Sequence, residues 1–373
     1  MRIALFTTNR TTIPPAPGVV AASAYLTGLL ADELVVRGHA VTLYAAKGSR
    51  SKASIVDLNM PPHELDYALD PKEWVKNMNL GMKQLYIAEV YKHASEFDII
   101  HLQTEPVYLG MPFAKLTSTP TVVTNHNIFL EEEKQLLMAY SDVPIITISL
   151  YQQRTMPELN HIGTVYDGIA IHDYTYYSSS TNENYFYFMG RLVAAKGVGE
   201  AIAAVKDSHS RLIINGVGTT AFIDQTIRPH LSEAIRFEEH VDKGSQKWMD
   251  LLGNARALLV PIQWEEPFGL IIVEAMATGT PVIAFARGAV PEIVADGVTG
   301  FIVNPSDTDR RGDWIIKEAG IPGLVEAIKR MQALAPTSYE SMRQASRKRV
   351  EEQFTVTQMV DGYENVYKKL VSK

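Results

Sequence analysis

Short apolar runs alternate with longer amphipathic segments along this chain of 373 residues. Residues 3–6 form the first apolar run, and residues 21–37 follow with leucines at helical spacing. Residues 40–45 form the next run, and residues 83–95 and 98–102 repeat the alternation. This rhythm predicts a parallel sheet with helices on both faces, so the predicted fold class is α/β.

The rhythm breaks once and then restarts, which indicates two α/β domains. The break spans residues 167–184 and contains HDYTYYSSSTNEN, a polar, serine-rich stretch typical of a linker or surface loop. Beyond it, strands are predicted at residues 185–189, 212–215, 257–261 and 281–285, and helices at 199–205 and 270–278. Ligands of such sheets bind beyond the carboxyl ends of the strands, so the loops at those ends are the candidate sites.

Composition excludes several classes of function. Lys and Arg total 35 against 42 for Asp and Glu, and the net charge of −7 argues against a nucleic-acid partner. The absence of Cys excludes a disulfide scaffold, a thiolate zinc site and a cysteine nucleophile. Neither a secretory signal nor an apolar run of roughly 18 residues, enough to span a membrane, is visible. We therefore expect a cytoplasmic protein, for which peripheral contact with the inner membrane face stays open.

The stretch WEEPFGLIIVEAMATGTPVIA, residues 264–284, combines an acidic loop with the start of a helix near Gly269. Pro267 suits a helix start, and Gly269 lets a ligand approach the backbone and the free amides of the first turn. Glu266 and Glu274 lie about two helical turns apart and could accept hydrogen bonds from the hydroxyls of one sugar ligand. The alternative is a solvated Glu266 and a Glu274 that the helix dipole favours.

A second stretch, FMGRLVAAKGVG at residues 188–199, carries two cations. A strand is predicted to end at Met189, Gly190 to turn the chain, and Arg191 and Lys196 to lie at the start of the next helix. Fixed cations at a strand-to-helix junction suit a diphosphate leaving group. An ordinary basic surface loop is the alternative.

The segments GRLVAAKG, EEPFGLIIVEAMATGTPVIAF and GAVPEIVADGVTGFIV together resemble the retaining glycosyltransferases of family 4. Arg191 and Lys196 match the arginine–lysine pair of that family, and Glu266 and Glu274 match its E-x(7)-E motif. The resemblance implies the GT-B fold, with two facing Rossmann-like domains and a cleft between them. Residues 1–166 would bind the acceptor, residues 167–350 the nucleotide-sugar donor, and the helix 351–373 would return to the N-terminal domain.

The resemblance also implies roles for individual residues. Arg191 and Lys196 would hold the donor diphosphate, while Glu266 would contact the donor sugar and Glu274 the ribose hydroxyls. His126, in VVTNHN, matches a histidine near the transferred sugar, whereas a satisfied loop histidine is the alternative interpretation. The wider donor site would comprise Gly18, Gly190, Gly216, His240, Val241, Pro267, Phe268, Gly269 and Leu270.

Two segments depart from the family pattern. The first loop, TIPPAPGVVAAS, has only Gly18 where members usually carry paired glycines. In the hinge-like segment GTVYDGIAI, Asp167 and Ala170 replace the common residues. Both departures fall in or beside the half expected to bind the acceptor, so the donor-side chemistry is the better matched of the two.

Two further signals have a simpler interpretation. Asp307-Thr308-Asp309 is a DxD string of the kind that holds metal in other glycosyltransferase folds, but its polar surroundings favour a surface loop. Tyr174, Tyr176 and Tyr177 could stack on sugars, although packing of the loop on its own domain is favoured. The histidines show no metal-ligand spacing, so we expect neither a metal site nor a cofactor.

The resemblance to family 4 therefore implies a retaining, metal-independent hexosyltransferase. The donor would be a nucleotide-diphosphate sugar, with UDP favoured and GDP next, and the acceptor a hydroxyl on a small molecule, a glycan or a lipid-linked sugar. A non-catalytic nucleotide-sugar-binding protein and a GT-B phosphorylase are the alternatives.

Overall fold

A computed structural model describes residues 1–16, 19, 21–62, 73–178, 184–239 and 241–372, with only the backbone of 73–78. The chain divides into two compact units, the first comprising Met1–Gly168 with Thr355–Lys373 and the second Ile169–Phe354. Each unit is built on one parallel β-sheet. The predicted α/β class with two such domains is confirmed.

The first unit contains a seven-stranded sheet with strand order β3-β2-β1-β4-β5-β6-β7. Its strands are β1 (Arg2–Phe6), β2 (Ala40–Tyr44), β3 (Ser54–Val56), β4 (Ile99–Leu102), β5 (Thr121–Asn125), β6 (Ile145–Thr147) and β7 (His161–Thr164). Its helices before the linker are α1 (Ala22–Val36), α2 (Glu73–Lys92), α3 (Lys134–Met138) and α4 (Leu150–Thr155). β4 and β5 are buried along their whole length, as expected for central strands covered on both faces.

The second unit contains a six-stranded sheet with strand order β10-β9-β8-β11-β12-β13. Its strands are β8 (Tyr185–Leu192), β9 (Arg211–Gly218), β10 (Ile235–Glu238), β11 (Ala257–Val260), β12 (Val282–Phe285) and β13 (Gly300–Val303). Its helices are α5 (Val198–Asp207), α6 (Thr220–Thr226), α7 (Gln246–Gly253), α8 (Leu270–Ala277), α9 (Val290–Ile293), α10 (Gly320–Gln332) and α11 (Pro336–Gln353). β8 and β11 are neighbours at the centre of this sheet, which places the loops that follow them at one edge.

The last helix, α12 (Val356–Val371), returns to the first unit. Its start is fixed by a capping box, in which Thr355 and Gln358 exchange side-chain and backbone hydrogen bonds. Arg37, at the end of α1, bridges to Asp361 at 2.5 Å and to Glu364 at 3.2 Å. The helix begins later than the expected position 351 because α11 continues to Gln353 before the cap.

The tyrosines of the serine-rich segment pack on their own unit. The hydroxyl of Tyr176 donates to Glu340 at 3.0 Å, and that of Tyr177 donates to Asp250 at 2.6 Å. Arg343 donates from two guanidinium nitrogens to the carbonyl oxygen of Tyr177. These contacts agree with the favoured interpretation of the segment as a loop held on its own domain.

A search of the described helices for the length and apolarity that a membrane crossing demands finds no candidate.

Candidate functional site

The two segments that carry Lys196 and Glu266 meet at one edge of the second sheet. Lys196 follows β8, and Glu266 follows β11, the strand that pairs with β8. The Nζ atom of Lys196 lies 2.8 Å from Oε2 of Glu266, and the side chains are 20% and 13% exposed. The structure therefore brings this cation and this carboxylate into direct contact in a partly buried site, where charges interact more strongly than at an open surface.

Trp264 connects the two cations, a role that the sequence reasoning missed. Its indole N–H donates to Oε2 of Glu266 at 3.1 Å, and the Nζ of Lys196 lies 4.5 Å from its ring centroid. The guanidinium carbon of Arg191 lies 5.8 Å from the same centroid. Cations near an indole face gain a cation–π attraction. In the sequence, this role could have been inferred from the position of Trp264 directly before Glu265 and Glu266.

The predicted turn at Gly190 is wrong, and Gly216 also lies within a strand. β8 continues through Leu192 and β9 through Gly218, so both glycines lie within strands and pair directly with each other. A Cβ atom on Gly216 would lie 1.9 Å from the carbonyl oxygen of Gly190, so small residues are needed for this close pairing. The actual turn falls at Gly197, where φ is +80° and a Cβ would lie 1.8 Å from the Pro261 carbonyl oxygen. Arg191 therefore projects from a strand instead of from a turn.

The helix α8 begins after Gly269, as the sequence suggested. Gly269 has φ of +105°, a conformation that favours glycine, and precedes Leu270, the first residue of the helix. Pro267 and Phe268 are buried, and the Phe268 ring contacts Phe354 edge to face at 5.8 Å. Pro267 and Phe268 thus anchor the loop in the core, while Gly269 and the first turn of α8 lie beside Glu266.

A second layer of charges holds the same loop. Glu265 accepts hydrogen bonds from the Gly288 amide at 2.7 Å, from Arg287 at 3.1 Å and from Arg311 at 2.6 Å. A Cβ on Gly288 would lie 2.1 Å from the carbonyl oxygen of Glu266, so the two backbones are in close contact. The geometry fixes Glu265 as the anchoring carboxylate and leaves Glu266 to face Lys196.

The DxD string lies in this outer layer. Asp309 bridges to Arg311 at 2.8 Å, and Asp307 bridges to Arg310 at 2.7 Å. Carboxylates that are bonded to arginine differ from the clustered oxygen ligands of a metal site. Over the described ranges, the structure brings no three His, Asp or Glu side chains together in an arrangement able to hold a metal ion.

Glu274 lies in the middle of α8 and is only 1% exposed. Its Oε1 atom lies 2.5 Å from the Nζ of Lys243 and accepts a hydrogen bond from the Tyr174 hydroxyl at 3.1 Å. Neither partner was singled out for this contact in the sequence. Val241 is partly buried beyond β10, whereas His240 lies outside the described residues.

His126 belongs to the first unit and follows β5. It is buried, and its Nε2 atom lies 2.7 Å from Oε1 of Gln103, which also accepts the Thr27 hydroxyl at 3.2 Å. Because that amide oxygen only accepts, Nε2 carries the proton and Nδ1 presents a lone pair. The Nδ1 atom lies 3.6 Å from Oδ1 of Asp167, the residue that replaces the family's common one.

Burial shifts the pKa values of His126 and Asp167 in opposite directions. Loss of solvent lowers the pKa of His126 to about 4. Loss of solvent, assisted by the nearby Glu105 charge, raises the pKa of Asp167 well above its usual value. Burial therefore favours the uncharged form of both side chains.

Several buried polar atoms in the loops after the strands of the first sheet lack a hydrogen-bond partner among the described residues. They follow the carboxyl ends of β1, β4, β5 and β7 and comprise Asn9 Nδ2, Thr11 Oγ1, Gln103 Nε2, Thr104 Oγ1, His126 Nδ1 and Asp167 Oδ1. We call these atoms the polar cluster. Buried polar groups are normally satisfied, so water or a ligand with both donors and acceptors is expected there. Gly18, the remaining expected glycine, lies outside the described residues.

Comparison with known families covers both units. The model described as Glycosyltransferase Family 4 matches residues 24–158, and the model described as Glycosyl transferases group 1 matches residues 177–332. The chain belongs to the family 4 glycosyltransferases. The family's two characteristic domains thus coincide with the two sheets, and the match to the second includes Arg191, Lys196, Glu266 and Glu274.

Individual relatives match parts of the chain or its whole fold. Glycogen synthase of Mycobacterium tuberculosis is 38% identical over 127 residues, which cover 32% of this chain and 30% of that enzyme. Sucrose-phosphate synthase of Thermosynechococcus elongatus matches 100% of this chain and 99% of its own, with a TM-score of 0.77 and 19% identity. The structure of HepE of Anabaena in complex with UDP-glucose matches 100% of this chain and 100% of its own, with a TM-score of 0.67 and 17% identity. These structural matches establish the GT-B fold.

Proposed function

We propose that this chain is a retaining glycosyltransferase that moves a hexose from a UDP-sugar to a hydroxyl acceptor without a metal ion. The observation that carries the proposal is the contact of Lys196 with Glu266 at 2.8 Å, beside Arg191 and the start of α8. A cation pair, a carboxylate and helix-start amides at one sheet edge suit a ligand with both a diphosphate and a sugar. GDP is the second choice of donor, and the UDP-glucose complex of HepE supports the first.

The barrier to transfer is departure of the diphosphate from the anomeric carbon of the sugar. Arg191, Lys196 and the backbone amides of Gly269 and Leu270 would stabilise the developing phosphate charge. The ammonium of Lys196 would bridge Glu266 and the phosphate, which keeps the carboxylate from repelling the leaving group. Because side chains and amides supply this compensation, the proposed reaction requires no metal ion.

Glu266 would accept hydrogen bonds from hydroxyls of the transferred sugar. An ionised carboxylate bound to Lys196 and to the Trp264 indole has a fixed orientation, and it also stabilises positive charge on the sugar ring. In the proposed retaining reaction the acceptor hydroxyl enters on the face that the diphosphate leaves, and a phosphate oxygen takes its proton. No protein nucleophile is needed in that route, in contrast to retaining glycosidases.

The polar cluster of the first unit supports a hydroxyl-bearing acceptor. It offers amide and hydroxyl donors together with the Nδ1 acceptor of His126, and each sugar or polyol hydroxyl both donates and accepts. A small glycoside, a glycan end or a lipid-linked sugar would satisfy this set. We propose that His126, as part of this cluster, contributes to sugar transfer and not to nucleotide binding.

A turnover assay tests the proposal and distinguishes a transferase from a non-catalytic binding protein and from a phosphorylase. UDP-glucose, UDP-galactose, UDP-N-acetylglucosamine and GDP-mannose are each incubated with the enzyme in EDTA and a panel of hydroxyl acceptors. We expect release of UDP and a product whose anomeric configuration, measured by NMR, equals that of the donor. An inverted product or strict dependence on added metal would contradict the mechanism. Binding of UDP without any turnover would favour a non-catalytic protein. Formation of a sugar 1-phosphate from a glycoside and added inorganic phosphate would favour a phosphorylase.

A further inference from the structure

The buried carboxylate of Glu274 has an asymmetric set of contacts. The Tyr174 hydroxyl and the Lys243 ammonium both bind Oε1, at 3.1 Å and 2.5 Å. An ionised carboxylate can accept about four hydrogen bonds, so two protein contacts on one oxygen leave acceptor capacity on the other.

Tyr174 is held rigidly, so its hydroxyl marks a fixed point. The side chain is buried, and its ring meets the Trp248 ring edge to face at 6.2 Å. The carbonyl oxygen of Tyr174 accepts a hydrogen bond from Arg347 at 2.8 Å, which anchors the backbone as well. Trp248 is itself fully buried, with its indole N–H 2.7 Å from the sulfur of Met189. The hydroxyl is therefore positioned from the core of the second unit.

Lys243 approaches the same oxygen from the surface. It lies in the loop between β10 and α7, and its side chain is 44% exposed. Burial of a carboxylate is costly unless a cation or hydrogen bonds compensate for the lost water. Lys243 supplies that cation, while Tyr174 supplies the neutral donor. Together they give the Glu274 carboxylate one defined orientation.

We infer that Tyr174 and Lys243 are positioning residues for the nucleoside end of the donor. By binding Oε1 they direct Oε2 of Glu274 towards the ribose, where it accepts hydrogen bonds from the 2′- and 3′-hydroxyls. This inference rests on the proposed function, since it requires a nucleotide ligand at α8. It predicts that the two residues determine how strongly the site distinguishes ribose from 2′-deoxyribose.

The experiment compares the affinities of UDP and 2′-deoxy-UDP by titration calorimetry, using the full chain. The wild type should bind UDP about tenfold more tightly, because a hydrogen bond to a charged acceptor is lost with the deoxy ligand. Tyr174→Phe keeps the ring and removes only the hydroxyl, and it should reduce that preference to about twofold. Lys243→Met should reduce it similarly, whereas Lys243→Arg should restore it. In turnover the changes should raise KM for the donor and leave kcat near the wild-type value.

Tyr176→Phe is the matched control, because it removes a hydroxyl that donates to a different carboxylate, Glu340. It should keep the tenfold preference even if it lowers thermal stability, so a general loss of stability cannot imitate the expected result. An unchanged preference in both Tyr174→Phe and Lys243→Met would overturn the inference alone. A wild type that binds neither UDP nor GDP would overturn the proposed function and the inference with it.

Discussion

The candidate donor residues of the second unit and the polar cluster of the first unit differ in how their polar atoms are paired. In the second unit, Lys196 contacts Glu266 and Lys243 contacts Glu274, so the candidate donor site is internally paired. In the first unit, the atoms of the polar cluster, which include His126 Nδ1 and Asp167 Oδ1, lack partners among the described residues. The difference indicates a preassembled, charged site in one unit and a site in the other whose hydrogen bonds are completed by water or ligand.

The strongest test of this contrast is Lys196→Met, which removes the cation and leaves the Glu266 carboxylate without it. We expect kcat/KM for the donor to fall by about 100-fold or more, as when a stabilising donor is removed from a developing anion. Lys317→Met is the control, since Lys317 also contacts a carboxylate, Asp313, at 2.6 Å but on an exposed surface. Equal activity of the two variants would contradict the assignment of the leaving-group site.

His126→Leu tests whether the first unit acts on transfer independently of nucleotide binding. It removes the Nδ1 acceptor and the hydrogen bond to Gln103. We expect kcat to fall by about 10- to 100-fold while the Kd for UDP changes by less than about twofold. Steady-state kinetics and calorimetry on one preparation measure both quantities. A comparable loss of UDP affinity would remove the proposed separation of roles.

Gly190→Ala tests whether the donor covers the strand β8. Among the described atoms none lies within 4 Å of a Cβ placed at Gly190, so the fold should tolerate the methyl group. A diphosphate lying against this glycine would meet that methyl, and we expect UDP to bind about tenfold more weakly. Gly199→Ala, in α5, also meets no described atom within 4 Å and provides the control. It should leave UDP affinity unchanged and stabilise the helix by about 0.5–1 kcal/mol.

Asp167→Asn should give the smallest effect, a change in unfolding temperature that reports the protonation of Asp167. Because burial raises the pKa of Asp167, the folded state retains a proton that the unfolded state has lost above about pH 4, so this group lowers stability as pH rises. The asparagine variant should therefore unfold at a higher temperature at pH 7, by about 2–4 °C, and the gap should narrow at pH 5. A gap that stays constant or reverses with pH would show that Asp167 is ionised in the folded protein.

The stability contribution of His126 depends on pH in the opposite direction. Burial lowers its pKa to about 4, so its contribution to stability is complete above about pH 6.5 and is lost as pH falls towards 4. Replacement of this histidine by leucine should flatten the acid side of the stability profile, measured by thermal unfolding between pH 4 and 7.

The central strands could be predicted from the sequence, and the candidate donor motifs located in it, because local patterns encode them. β1, α1 and β2 follow clear apolar periodicity, and the small residues after Glu274 mark a tightly packed helix. The short strands β3 and β7 were not predicted, since their residues are only partly buried and lack a continuous apolar run. The turn at Gly190 was placed wrongly because β8 and β9 extend beyond their apolar cores through a glycine–glycine pairing.

The partners of the site residues depend on contacts between distant parts of the chain. Tyr174 reaches Glu274 across 100 residues of sequence, and Asp167 faces His126 from the end of a different strand. No local pattern specifies such pairs, because they result from the order of strands in each sheet. Arg191, Lys196, Glu266 and Glu274 were identifiable since they carry a recognisable spacing, whereas Trp264, Lys243 and Gln103 do not.

The most direct test of the central claim is a thermal-unfolding titration of UDP, GDP and ADP in EDTA, on the wild type and on Lys196→Met. We expect UDP to raise the unfolding temperature of the wild type in a concentration-dependent way, because a ligand of the folded state stabilises it. The shift should be strongly reduced in Lys196→Met. An absence of any shift with all three nucleotides, or an equal shift in both proteins, would contradict a nucleotide-sugar site built on Lys196 and Glu266.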